Sequence, residues 1–238
     1  MIFLALESST SHSSVAIFED QKLLDFLECD SRRSLTPQII PTIDQLLARV
    51  SLRMADLQGL AISIGPGTFT GLRVGLATMT AFRFALGIPL VGVSTLEGLA
   101  WNLQQSKLPI LSTVSIRIDM VYWGIFRWQD DRLVCTETDQ IGNLSEVCAG
   151  LSEPTVVLGD GWLRNQERLQ CLSSAVVAGP SDAMWPSAKG IGPAGLKLLE
   201  RGDVLPESCV PRYIQPSYAK IPQTSNAPLA MGEVESSG

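Results

Sequence analysis

The sequence of 238 residues predicts an α/β protein of two related halves, each a mixed β-sheet with helices packed against it. Two observations predict it. Apolar runs at 2–6, 15–18 and 22–27, separated by polar segments, read as an antiparallel three-strand meander, and runs at 110–118, 121–128 and 132–135 repeat that pattern after a break near 104–109. Between the meanders, apolar residues at helical period alternate with short extended runs, so the first half reads βββαβαβα.

Taken in order, the first two runs are joined by the polar turn Ser8-Ser9-Thr10-Ser11-His12-Ser13-Ser14, and the third follows Glu19-Asp20-Gln21. A helix is predicted over 37–50, where Ile39, Ile40, Ile43, Leu46, Leu47 and Val50 share one stripe, Pro37 suits the first turn and Thr36 can cap it. A strand at 60–64 runs into Gly65-Pro66-Gly67-Thr68-Phe69-Thr70-Gly71, and a second helix over 68–86 ends at Gly87. The strand at 90–93 leads to a third helix, capped by Ser94 or Thr95 and running to about Leu103. In the second half, Gln129-Asp130-Asp131 is a turn, 156–158 is a short strand before Gly159-Asp160-Gly161, and 191–200 is a helix before Arg201-Gly202-Asp203. The predicted organisation is an N-terminal lobe at 1–104, a C-terminal lobe at 105–222 and a mobile tail at 223–238 with little to bury.

Composition narrows the function. With 45% hydrophobic and 18% charged residues the chain is not disordered, and a net charge of −6 opposes direct binding to a phosphate backbone, so service to nucleic acid needs a partner that grips it. Five scattered cysteines without a C-x-x-C pair suggest free thiols in a reducing compartment. The apolar region 72–93 is broken by Arg73, Arg83 and Pro89, and no basic leader precedes the first strand, so a soluble cytoplasmic protein is expected. The single histidine, His12, excludes two-histidine metal motifs and any Ser-His-Asp or Cys-His site not built on it.

Each motif has two readings. The stretch 65–75, four glycines between a strand and a helix, suits either a phosphate loop or a tight structural turn; it lacks the lysine of one phosphate-loop pattern and the glycine spacing of the other, which favours the turn. On the following helix, Gly71, Gly75, Ala77, Ala81 and Ala85 lie beside Leu72, Leu76, Met79 and Leu86, a pattern that fits burial in the lobe's own core or an apolar face offered to a partner. The 8–14 segment is either a phosphate-contacting hairpin or an ordinary polar turn with a solvated His12. Gly159-Asp160-Gly161-Trp162 is either a second phosphate turn or a plain turn permitting positive φ, with the plain turn favoured, and Glu7 and Asp119 read as isolated carboxylates with solvated or capping roles.

The stretch Gly65-Pro66-Gly67-Thr68-Phe69-Thr70-Gly71-Leu72-Arg73-Val74-Gly75 resembles the signature G-P-G-[ST]-F-T-G-[LV]-R-[IV]-G of the TsaB family, also called YeaZ. Leu4-Ala5-Leu6-Glu7-Ser8-Ser9, Gly92-Val93-Ser94-Thr95-Leu96, Val121-Tyr122-Trp123, Trp185-Pro186-Ser187-Ala188 and Pro211-Arg212-Tyr213-Ile214 are similar to further family segments in the same order, so the resemblance covers about 1–218. It implies an actin, sugar kinase and Hsp70-like (ASKHA) duplicated ββαβ-type fold in two lobes. It implies a non-catalytic relative of the glycoprotease group that pairs with TsaD, the subunit that binds metal through H-x-x-x-H and transfers threonylcarbamoyl to tRNA adenosine beside the anticodon.

In the family the two N-terminal-lobe helices of each subunit pack as a four-helix bundle. Carried onto this sequence, that surface comprises Ile39, Ile43, Leu46, Leu47, Leu72, Arg73, Leu76, Met79 and Arg83, with Leu72, Leu76 and Met79 as anchors. The resemblance further implies the ATPase TsaE as a second partner, tRNA contact only through the complex, no tightly bound cofactor or metal, ATP or ADP at most at the complex interface, and self-pairing to a homodimer when the subunit is alone. The sequence departs from the family pattern in three places: Glu7, one methylene longer, stands where Asp is usual, Ser115 and Met120 stand where D-A-R-x-x-E-V-Y-W has acids, and Gln215 stands where the closing motif has Arg. Two other classes stay open, a peptidase or small-molecule kinase of the same superfamily and a stand-alone nucleotide-binding module built on 65–75.

Overall fold

The computed structural model describes residues 1–30, 35, 37–169 and 173–212. The Thr36 cap, Cys171, the Tyr213-Ile214 end of the closing motif, Gln215 and the tail from 223 lie outside them.

Both meanders form, and each opens a five-stranded sheet. The first holds β1 (Ile2–Glu7), β2 (Ser14–Glu19), β3 (Lys22–Glu28), β4 (Gly59–Gly65) and β5 (Leu90–Ser94) in the order β3-β2-β1-β4-β5. The second holds β6 (Ile110–Arg117), β7 (Met120–Gln129), β8 (Arg132–Asn143), β9 (Thr155–Leu158) and β10 (Val176–Ala178) in the order β10-β9-β6-β7-β8. In each sheet the opening meander is antiparallel and the later strands run parallel to its first strand, so the two topologies are the same. The duplication read from the sequence is therefore present in the connectivity.

The first sheet is buried on both faces, which is why its strands read as unbroken apolar runs. Leu4, Leu6, Val15, Ile17, Leu60 and Ile62 pack with α1 (Ile39–Arg49) and α2 (Phe69–Leu86) on one side. Alternate residues Phe3, Ala5, Ala16, Phe18, Ala61, Val91 and Val93 lie in a second core on the other side, which includes residues of the last helix. Gly87 closes α2 in the left-handed region at φ 66°, the C-terminal cap the sequence predicts.

The helix α3 (Thr95–Trp101) belongs to the first half by sequence, yet Leu96, Leu99 and Ala100 pack in the core of the second sheet. The small elements α4 (Leu144–Ala149), α5 (Asp160–Leu163) and α6 (Gln166–Leu169) complete the second lobe. The last helix, α7 (Ala188–Arg201), starts earlier than predicted because Ser187 caps it, its hydroxyl accepting from the Lys189 amide. Ala188, Ile191, Ala194 and Leu196 put it on the first sheet. Within the described residues the chain therefore crosses to the second sheet at α3 and returns to the first at α7. Trp101 meets Trp128 edge to face at 4.8 Å across the junction. No helix among the described residues is long and apolar enough to cross a membrane.

Candidate functional site

The glycine-rich turn between β4 and α2 is keyed into the N-terminal turn. Gly65 sits at φ 117°, a conformation a side chain would strain. The Thr68 amide donates to the Ser9 carbonyl at 2.7 Å. A Cβ on Gly67 would lie 2.3 Å from that same oxygen, and one on Gly71 2.1 Å from the Ser8 carbonyl. Glycine is needed here so that two stretches of backbone can touch. The glycines of the signature are used on the protein's own chain.

The acids and the histidine are engaged in the same way. Glu7 is fully buried at the end of β1, and one of its carboxylate oxygens accepts from both the amide and the hydroxyl of Ser9. Burial outweighs those bonds and pushes its carboxyl up to about 7. His12 stacks on Trp185 with ring centres 3.6 Å apart, its Nδ1 3.2 Å from the hydroxyl of the exposed Ser11. Asp119, at φ 67°, turns the β6–β7 hairpin and accepts the Leu144 amide on its carbonyl. Asp160 accepts the Ser115 amide at 2.8 Å, and burial raises its carboxyl above the usual range. Between the lobes, a cavity of about 310 Å³ is lined by Ser9, Ser11, Thr68, Ser115, Asp160 and Arg164. No group of three or more His, Cys, Asp or Glu side chains among the described residues is placed to hold a metal ion.

The two helices assigned to a partner surface have their large apolar side chains inside. Ile39, Ile43, Leu46 and Leu47 of α1 and Leu72, Leu76 and Met79 of α2 are all buried in their own lobe. All but Leu72 belong to one core with Leu4, Leu6, Ile17 and Ile62. Their assignment to a partner face is corrected on this point: the stripe at i, i+4 and i+7 is the side of the helix that covers the sheet. Arg83 is half-buried, and its guanidinium donates to the carbonyls of Leu205 and Pro206 at 2.7 and 3.0 Å. Arg73 remains on the outer side, 3.6 Å over the Phe69 ring.

What α2 does expose is a different line, Phe69, Arg73, Ala77, Ala81 and Phe84, an alanine floor between two aromatic ends. Phe69 is 46% and Phe84 60% exposed, and Ile40 of α1 is 52% exposed. Sequence reasoning missed Phe84 and named Phe69 only as part of the signature loop. Their fifteen-residue separation, close to four helical turns, was the available signal.

Residues 30–155, more than half of the chain, match the model of the family described as TsaD: tRNA N6-adenosine threonylcarbamoyltransferase. Two relatives named tRNA threonylcarbamoyladenosine biosynthesis protein TsaB match along most of their length. The one from Buchnera aphidicola (subsp. Schizaphis graminum) is 29% identical over 81% of this chain and 91% of its own. That from Escherichia coli K12 is 26% identical over 93% and 99%. The chain belongs to the TsaB/YeaZ family.

A solved YeaZ structure from Pseudomonas aeruginosa superposes with a TM-score of 0.76 at 24% identity, covering 89% of this chain and 99% of that one. The chain has the fold of that YeaZ structure, with two sheets of common topology. In this TsaB/YeaZ chain the signature loop joins the N-terminal turn to α2, and α2 carries the exposed aromatic ends.

Proposed function

We propose that this protein is a non-catalytic subunit of tRNA threonylcarbamoyladenosine biosynthesis, which pairs with a TsaD-type transferase through the outer face of α2. The observation that carries the reading is that face: Phe69 and Phe84 stand exposed at the two ends of a floor of Ala77 and Ala81, on a helix whose other side is sealed against its own sheet. Small residues let a second helix come close, and the aromatic ends supply apolar area once covered. Family membership supports the pathway, and the names of the relatives place them in it. The engagement of the only histidine with Trp185, and of Glu7 with Ser9, supports a supporting rather than a chemical part. On this reading the subunit works in the cytoplasm, meets tRNA through the complex, is joined there by the ATPase TsaE, and pairs with itself when TsaD is absent.

The test is co-purification. The protein should be retained by its own organism's TsaD, and Phe84→Asp should abolish retention while the variant's melting curve stays that of the parent. Retention of Phe84→Asp at parental strength would show the face wrongly assigned.

One observation favours a second reading, a nucleotide held between the lobes: the 310 Å³ cavity is lined by the hydroxyls of Ser9, Ser11, Thr68 and Ser115. Against it, the cation Arg164 that lines the same cavity lies 3.7 Å from the Asp160 carboxyl, which competes with a phosphate for it. Calorimetry with ATP and ADP, on the subunit alone and then with TsaD, separates the two readings, because only a module of the second kind binds tightly by itself.

A further inference from the structure

After α7 the chain runs back over the first lobe. The Leu205 amide donates to the Leu90 carbonyl at 2.8 Å, and Leu205 and Cys209 pack against the core beneath α1 and α2. Arg83 reaches out of α2 to hold the carbonyls of Leu205 and Pro206, and the Cys209 thiol lies 3.8 Å from the Thr80 hydroxyl of the same helix. The Arg212 amide then donates to the Ile64 carbonyl at 2.8 Å, one residue before the signature loop. The Arg212 guanidinium leaves that lobe altogether. It pairs at 2.5 Å with Asp139 of β8, in the second sheet, a side chain only 6% exposed.

We propose that residues 203–212 form a strap that couples α2 to the angle between the two lobes, with the Arg212–Asp139 ion pair as its clasp. Among the described residues the strap has anchors on β5, α2 and β4 of one lobe and a single one on the other. Apart from the packed side chains of Leu205 and Cys209, its span is held by polar contacts, and the Arg212 side chain is half-exposed, so the clasp end can open locally. A sealed carboxylate stays sealed only while its cation is there. Releasing Arg212 therefore drives Asp139 towards water and loosens β8 against the first lobe. A displacement of α2 reaches the same clasp through Arg83, because that guanidinium grips the carbonyls of Leu205, the residue anchored on β5, and of Pro206 beside it. The inference goes beyond the pairing proposal and holds whether or not α2 is the docking face.

Hydrogen exchange on the purified full-length protein tests it. Arg212→Ala should speed exchange roughly tenfold in peptides covering 203–212 and 136–142, while β1 and β4 keep their protection. Adding Asp139→Asn should return 136–142 towards the parental rate, since a neutral amide can remain buried where an unpaired carboxylate cannot. Arg83→Ala, which touches neither member of the clasp, decides the coupling: faster exchange at 136–142 supports the strap. Parental exchange there in Arg83→Ala, or no rescue by Asp139→Asn, would overturn it. Should Arg212→Ala fail to fold, the half-exposed Arg83 variant decides alone.

Discussion

One carboxylate oxygen of Glu7 accepts both the backbone N–H and the hydroxyl of Ser9, each at 2.5 Å. That pair starts a short relay, since the Ser9 carbonyl accepts the Thr68 amide at the entry to α2. Because burial raises the folded-state pKa to about 7 from 4.5, the folded protein holds a proton that the unfolded chain has lost across that interval. The stabilisation is complete below 4.5 and is lost as pH rises through about 7. The difference amounts to about 3 kcal/mol at 1.36 kcal/mol per pKa unit. Thermal melts from pH 5 to pH 8 should therefore fall, and Glu7→Gln, which cannot ionise, should flatten the curve and melt above the parent at pH 8. Parallel curves for the two proteins would show that Glu7 does not titrate in this range.

The inward and outward sides of α2 call for opposite outcomes from the same substitution. Leu76, 5% exposed, sits among Leu4, Leu6 and Ile62, so Leu76→Asp places a charge in the core and should cost more than about 4 kcal/mol. Phe84→Asp, on the outer side, should change stability by no more than about 0.5 kcal/mol. Circular dichroism melts of the two variants check this directly. A folded Leu76→Asp would mean that the helix packs differently.

The first sheet was legible because it is covered on both faces, which leaves a run such as Phe3-Leu4-Ala5-Leu6 continuous whichever way each side chain points. The strand β8 was legible only to Cys135, because beyond it Thr136-Glu137-Thr138-Asp139-Gln140 forms the polar edge of a sheet and lacks an apolar signature. The elements α5, α6 and β10 span three or four residues, too few for a period to show. On α2, Leu72, Leu76 and Met79 declare an apolar side, but spacing cannot tell whether the lobe's own sheet or another subunit covers it; here the sheet does. The strap had no signal at all, since ion pairing between Arg212 and Asp139 links residues far apart in sequence. Gly65 and Gly159 were both read as turns, and they occupy equivalent places, at φ 117° and 110°, each ending a parallel strand and opening a helix.

The structural reading of the signature loop is open to a direct measurement. Alanine is the better helix former by about 1 kcal/mol, so Gly71→Ala in an unconstrained first turn would stabilise α2. Here the added methyl would stand 2.1 Å from the Ser8 carbonyl, a backbone atom that cannot swing aside. Overpacking of this kind costs about 1–3 kcal/mol, or more where the obstacle is rigid, so the clash wins and the variant should be net destabilised by about 2 kcal/mol. Urea unfolding of the protein without any ligand measures it, and a neutral or stabilised Gly71→Ala would mean that the loop stands off the N-terminal turn.

His12 supplies the last contrast, between a chemical and a packing role for the only imidazole in the chain. Its ring lies flat on Trp185, at an interplanar angle of 21° and a centroid distance of 3.6 Å, so it links the N-terminal turn to the segment that leads into α7. A stacked pair contributes about 0.5–1.5 kcal/mol beyond its buried area, and that is what His12→Ala should remove from the melting transition. A general base would behave differently. Its loss typically lowers a rate by 10²-fold or more. In a reconstituted threonylcarbamoylation assay with TsaD, His12→Ala should sustain turnover within about twofold of the parent once the complex is saturated, with His12→Phe restoring the lost stability by replacing one flat ring with another. A hundredfold fall in turnover in both variants, with the complex still assembled, would assign the imidazole to the chemistry instead.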